Sequence, residues 1–157
     1  MRIVKVVILC VFAFTATSAF AQEKTDTNMQ ILLEKVKADK KLVVAANMDL
    51  SEAEATGFWP VYESYQKDLQ GLNDRLRKTI IAYADAYNKK TLTDAQALQL
   101  TNEAIAIDQD EVQMRKAYAV KLAQVIPAKK VARYLQVENK IRAAIKYDLA
   151  GGIPLVQ

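Results

Sequence analysis

Between Asp94 and Glu111 the chain carries five carboxylates (Asp94, Glu103, Asp108, Asp110 and Glu111) and no base. Between Lys129 and Lys146 it carries six bases (Lys129, Lys130, Arg133, Lys140, Arg142 and Lys146) against one acid, Glu138. Dense carboxylates can hold a hard cation or exchange protons, and clustered ammonium and guanidinium groups can hold an anion. A Ca²⁺ loop needs alternating carboxylates around a glycine, which the acidic run lacks. Acid–base catalysis needs a facing pair of carboxylates, and no pair stands out. The two runs are expected to be solvated faces that attract each other across a helical bundle. The basic run keeps a second reading, as a surface for lipid headgroups or an acidic protein.

Two absences narrow the chemistry further. The chain has no histidine, and its single cysteine is Cys10. Cys10 lies in a segment that reads as a signal peptide. Arg2 and Lys5 open it, a short apolar run follows from Val6 to Phe14, and Ala19-Phe20-Ala21 provides a small-x-small cleavage pattern. Cleavage after Ala21 leaves residues 22–157 as a single all-helical domain and points to the periplasm. It also removes Arg2 and Lys5, so the net charge falls from +4 to +2. Thiol nucleophiles, Ser-His triads and the usual Zn, Cu and Ni ligand sets are then excluded, and no disulfide holds the fold. No metal or cofactor site is expected, nor an enzyme. Nucleic acid is not expected as a partner at so small a net charge.

The elements that carry these residues follow from apolar spacing. Met29, Leu32, Val36 and Val43 share one helical face, giving a first helix that ends near Asn47. Phe58, Tyr62, Tyr65, Leu69, Leu72, Leu76, Ile80, Tyr83 and Tyr87 then recur at steps of 3 and 4, the period of an α-helix. Ser51 and Glu54 form a capping box ahead of this stripe, with Leu50 as hydrophobic staple. Pro60 falls inside the helix so started, and Gly57 softens the same turn, so a kink is expected near 56–60. The cluster Phe58, Trp59, Tyr62 and Tyr65 reads as core, with ligand stacking as the sharper alternative.

A second capping box, Thr93 with Gln96 behind Leu92, opens a helix expected from Asp94 to about Val125. One stripe on it runs Leu100, Ala104, Ile107, Glu111, Met114, Tyr118, Leu122 and Val125. A second row, Leu98, Ile105, Val112 and Ala119, repeats every seven residues. Together they cover more than half the circumference, wider than one partner helix requires. Glu111 has Arg115 one turn on, the favourable orientation for an i,i+4 pair. Ile126-Pro127 ends the helix, Pro127 begins the next, and Gly151-Gly152 is expected to stop that one. The fold class is therefore all-α: four helices around a long, Pro-kinked antiparallel hairpin, in a small bundle without a period-two strand pattern.

Leu92-Thr93-Asp94-Ala95-Gln96 matches the LTxxQ motif of the Spy-like family, and Leu50-Ser51-Glu52-Ala53-Glu54 looks like a relaxed copy. With its leader, size and helical pattern, the chain resembles that family of small periplasmic helical proteins. From Lys37 to Val156 it also resembles uncharacterised secreted proteins of proteobacteria, through Phe58-Trp59-Pro60-Val61-Tyr62 and the run Pro127 to Tyr134. The Spy-like resemblance implies a bent helical hairpin, often paired as a cradle-shaped dimer, and a chaperone, stress-adaptor or metal-sensor role. The sensor role draws on His and Cys ligands that are missing here. The expected function is a non-enzymatic periplasmic binding protein, an ATP-independent chaperone or envelope-stress adaptor. The alternative is a structural or regulatory subunit whose apolar face serves a homodimer or one dedicated partner. Candidate partner-binding residues are Leu98, Ile105 and Val112, rimmed by Lys129, Lys130 and Arg133, with protein clients or a partner protein as occupant.

Overall fold

The computed structural model describes residues 39–156. The expected leader and the start of the first helix lie outside the described residues. Contacts group the chain into Met1–Val43 and Val44–Gln157. Residues 39–43 of the first unit are helical. In the second unit that helix (α1, residues 39–48) ends at Met48, and Asp49 turns the chain in the left-handed region at φ 46°. Asp is among the few non-glycine residues that visit this region readily.

Three long helices follow: α2 (Glu52–Asn88), α3 (Asp94–Ala123) and α4 (Ala128–Gly152). Among the described residues there is no strand, so the chain is an all-α bundle. Both capping boxes form. The Ser51 hydroxyl accepts from the Glu54 N–H while the Glu54 carboxylate accepts from the Ser51 N–H. Thr93 and Gln96 reproduce the arrangement. At the other end of α2, Lys90 takes φ 54°, Thr91 N–H donates to Ala86 O and Lys90 N–H to Tyr87 O. That is a Schellman closure in which a lysine occupies the position glycine usually takes.

α2 continues through Pro60 without a break, so its start is set by Ser51 and not by the proline. Pro127 is the N-cap of α4 and Ala128 its first helical residue, one step later than the sequence predicts. Gly151 and Gly152 lie within the last turn, and Ile153 ends the helix. No glycine adopts a positive φ, so neither acts as a helix stop.

α3 runs antiparallel to α2, and α4 returns beside α3. The ties between α2 and α4 fall in the same order along both: Lys130 to Glu54, Glu138 to Gln66, and Pro154 to Tyr83. No Cα of α4 comes within 8 Å of one in α2. Long side chains must therefore fill the gap, and aromatic ones do. Phe58, Tyr62, Tyr65, Tyr118 and Tyr134 are buried with Val44, Met48, Leu122, Ile126 and Val131. Tyr134 of α4 meets Phe58 edge-on at 5.2 Å and Tyr65 at 5.8 Å. The cluster Phe58, Tyr62 and Tyr65 is thus core, as its period predicts, with Trp59 half-buried against it.

The core occupies one end of the bundle. Beyond Tyr65 no residue of α2 is fully buried, and before Ile107 none of α3 is. Leu69 to Tyr87 keep the helical period but remain half-exposed. Gly57 sits at the packed end, where a Cβ would lie 2.9 Å from Val125 Cβ. Its role is to let α2 approach the end of α3, which the sequence reading assigns instead to softening a kink. Gly57→Ala would force a methyl against a β-branched residue that cannot swing away. Overpacking of that kind costs about 1–3 kcal/mol, against the ~1 kcal/mol that alanine gains over glycine in a helix. The expected result is a lower denaturant midpoint, and a raised midpoint would show that Val125 gives way freely.

Candidate functional site

Helical periodicity explains how α3 comes to bear both a buried and an exposed apolar face. Its inner stripe packs Ile107, Glu111, Tyr118 and Leu122 out of solvent. α2 reaches it through Tyr65, edge-on to Tyr118 at 5.3 Å, and through Asp68, which accepts from the Tyr118 hydroxyl at 2.6 Å. α4 reaches it through Arg142, 2.7 Å from Glu111, and Lys146, 2.6 Å from Asp108. The heptad row lies outside both contacts. Leu98 is 63%, Ile105 53% and Val112 39% exposed, whereas Ala119 is half-buried.

That steady decline has a geometric cause. Seven residues at ~100° each fall about 20° short of two full turns, so a heptad row drifts around the helix by that angle at every repeat. Successive members of the row therefore rotate toward the flank that α4 covers. The row starts largely exposed at Leu98 and ends half-buried on the α4 flank at Ala119. Both neighbours expected for the wide face of α3 are present, yet three large apolar side chains stay in solvent.

Next to Leu98 a shallow groove of about 850 Å³ follows the seam between the less buried parts of α2 and α3. Arg75, Lys78, Ala82, Leu98, Leu100 and Glu103 are among its lining residues. Arg75 anchors its charged edge by donating to Glu103 at 2.9 Å and to Asp110 at 2.6 Å. The burial-opposed charge of this guanidinium is held firmly by the two carboxylates, its hydrogen bond to Glu103 being the stronger influence. Sequence reasoning missed Arg75. The only available signal was a cation on α2 at the height of the acidic run of an antiparallel α3.

The basic residues do not gather around the heptad row. Lys130 donates at 2.6 Å to the Glu54 carboxylate and at 2.6 Å to Asp49 O, at the start of α2. Its hydrogen bond holds the Glu54 carboxyl below the ordinary value of 4.5, with the Ser51 N–H adding to the effect. Lys129 and Arg133 are exposed beside Lys130 on the first turns of α4. On α3 this level corresponds to residues near Leu122, which belongs to the same core cluster as Val131 and Tyr134. Leu98 lies 24 residues earlier, roughly 36 Å along the helix at ~1.5 Å per residue. Leu98, Ile105 and Val112 thus form one surface and Lys129, Lys130 and Arg133 belong to another.

The acidic and basic runs do meet, at Arg142–Glu111 and Lys146–Asp108. Glu111 is nearly buried and takes its ion pair from Arg142 of α4, not from Arg115 as the i,i+4 spacing predicts. Arg115 Nε and Glu111 Oε1 are buried and make no well-directed hydrogen bond, so Arg142 holds Glu111 Oε1 as a close ion pair at 2.7 Å. The second buried carboxylate, Glu138, accepts from Gln66 Nε2 at 2.8 Å. Among the described residues no three acidic, His or Cys side chains converge as a metal site would require, and no helix is long and apolar enough to cross a membrane. The chain matches no family model, no curated protein and no solved structure.

Proposed function

We propose that the protein is a non-enzymatic binding protein of the periplasm that holds apolar segments of other proteins on α3, as an ATP-independent chaperone or envelope-stress adaptor does. The observation that carries this reading is the exposed row Leu98, Ile105 and Val112 beside the groove at the α2–α3 seam. An extended or helical client segment would bury its apolar side chains on the row, releasing water from both surfaces. The Arg75–Glu103 pair spans the seam beside the row, and Lys78 lines the same groove, so a polar margin borders the apolar surface. The periplasmic assignment rests on the leader pattern at residues 1–21.

The test compares the unaltered protein with Ile105→Asp. Ile105 is more than half exposed, so the substitution should change folding stability by no more than about 0.5 kcal/mol. The unaltered protein is expected to suppress aggregation of an unfolded model protein at near-equal molar ratio, and the variant to lose that effect while melting and sedimenting unchanged. No suppression at large excess would end the chaperone reading. A dimer that Ile105→Asp converts into a folded monomer would assign the row to self-association instead.

A further inference from the structure

α4 divides its cations into two sets. Lys130, Arg142 and Lys146 turn to the flanks of the bundle and pair with Glu54, Glu111 and Asp108. Lys129, Arg133 and Lys140 are exposed and have neither an ion pair nor a hydrogen bond among the described residues. At about 100° per residue these three and Tyr147 fall within roughly 40° of one another. Glu138, Val131 and Tyr134, which are buried, lie on the opposite side. The cationic stripe therefore runs along the outermost line of the bundle for roughly 27 Å at ~1.5 Å per residue. No acid shares it. Glu138 is turned inward onto Gln66, and Asp148 sits about a quarter-turn away. The stripe ends at Tyr147, which is 81% exposed, and the chain then runs on to Leu155 and Val156, both exposed.

We propose that this outer stripe of α4, Lys129, Arg133 and Lys140 with Tyr147 at its end, docks flat against an anionic lipid surface. The shape favours lipid over an acidic polypeptide. The stripe is a ridge on the side of α4 turned away from the buried Val131, Tyr134 and Glu138. A plane of phosphates engages a ridge along its whole length without needing directional acceptors. A tyrosine has its preferred place at headgroup level, polar tip in water and ring against the acyl boundary. Because the heptad row of α3 is a separate surface, lipid docking leaves it open, and the inference stands whether or not α3 holds clients.

The test is co-sedimentation of the protein, as the cell processes it, with vesicles of phosphatidylglycerol and of phosphatidylcholine. Each surface cation contributes on the order of fivefold to affinity for an anionic membrane. Lys129→Gln/Arg133→Gln/Lys140→Gln should therefore lose on the order of a hundredfold on phosphatidylglycerol, while keeping its helical content and melting temperature, since none of the three side chains has a partner to lose. Binding should favour phosphatidylglycerol over phosphatidylcholine and weaken steeply with salt. Lys67→Gln/Lys89→Gln/Lys116→Gln removes the same charge from other exposed positions of the bundle and should bind within a few-fold of the unaltered protein. Equal loss in both triple variants would reduce the effect to net charge and overturn the proposal. So would equal binding to the two lipids, or capture of a polyglutamate peptide by the stripe without vesicle binding, which would make the partner an acidic protein.

Discussion

Truncation of Tyr134 to alanine is expected to cost about 3–5 kcal/mol, the range for removing a fully buried aromatic side chain. Tyr134 has no exposed surface, and its ring lies 5.2 Å from Phe58, 6.1 Å from Tyr62 and 5.8 Å from Tyr65. The loss should sit at the top of the range, because the backbones of α2 and α4 stay apart and this ring spans the space between them. Lys130–Glu54 and Gln66–Glu138 tie the two helices on either side of the ring. Domains of this size have about 5–15 kcal/mol in total, so α4 should detach or the whole bundle melt more than roughly 10 °C earlier. Tyr134→Phe keeps the ring and loses the hydroxyl's hydrogen bonds, a long one from Gln66 at 3.4 Å and one to the Glu138 carboxylate, so it should cost about 1–3 kcal/mol, less than the alanine change. Denaturant titration of both variants checks the difference, and similar midpoints for the two would refute the packing argument.

Alkali should unfold the protein through the same cluster. Burial pushes Tyr62 up to about 12, with the Glu138 carboxylate adding to it. Burial likewise raises Tyr118 to about 12, helped by its hydrogen bond to Asp68. Tyr65 and Tyr134 are raised further by burial and by Glu138. In the unfolded chain a tyrosine ionises at 10.0. A folded value above the unfolded one contributes stability that is fully present below pH 10 and is lost as pH climbs through the folded value. Four such groups act together here. Their ionisation should appear as one cooperative rise in tyrosinate absorbance between about pH 10 and 12, coincident with loss of the far-ultraviolet helical signal. Ionisation of every tyrosine near pH 10 with helicity intact would show that the cluster is open to solvent. The acid side carries the opposite sign at one group. Glu54, held below 4.5, contributes stability above that pH and loses it as pH falls through its folded value.

Local signals in the sequence translated directly into structure. Ser51 with Glu54 and Thr93 with Gln96 act across three residues, so their geometry depends on nothing farther away. The stripe Phe58 to Tyr87 likewise marks one face of α2, since the helical period sets each side chain's direction about its own axis. The stripe does not say which part will be buried. Burial at Phe58, Tyr62 and Tyr65 depends on Tyr134 arriving from α4, whereas Leu72 to Tyr87 stay half-exposed. The Glu111–Arg115 spacing was a fair local reading that lost to a stronger long-range one, Arg142 at 2.7 Å.

The amino-acid sequence by itself determined the three long helices to within a few residues, the two capping boxes, the inward faces and the want of histidine and cysteine ligands after residue 21. It also held the heptad row and the six bases of the last helix as patterns. Which members of those patterns face solvent was decided by tertiary structure. A residue's angle about its own helix follows from counting at ~100° per step, but the angle at which a neighbouring helix docks does not. With α4 set against the flank of α3, Ala119 is covered and Leu98 is not. The same docking engages Lys130, Arg142 and Lys146 and leaves Lys129, Arg133 and Lys140 in water.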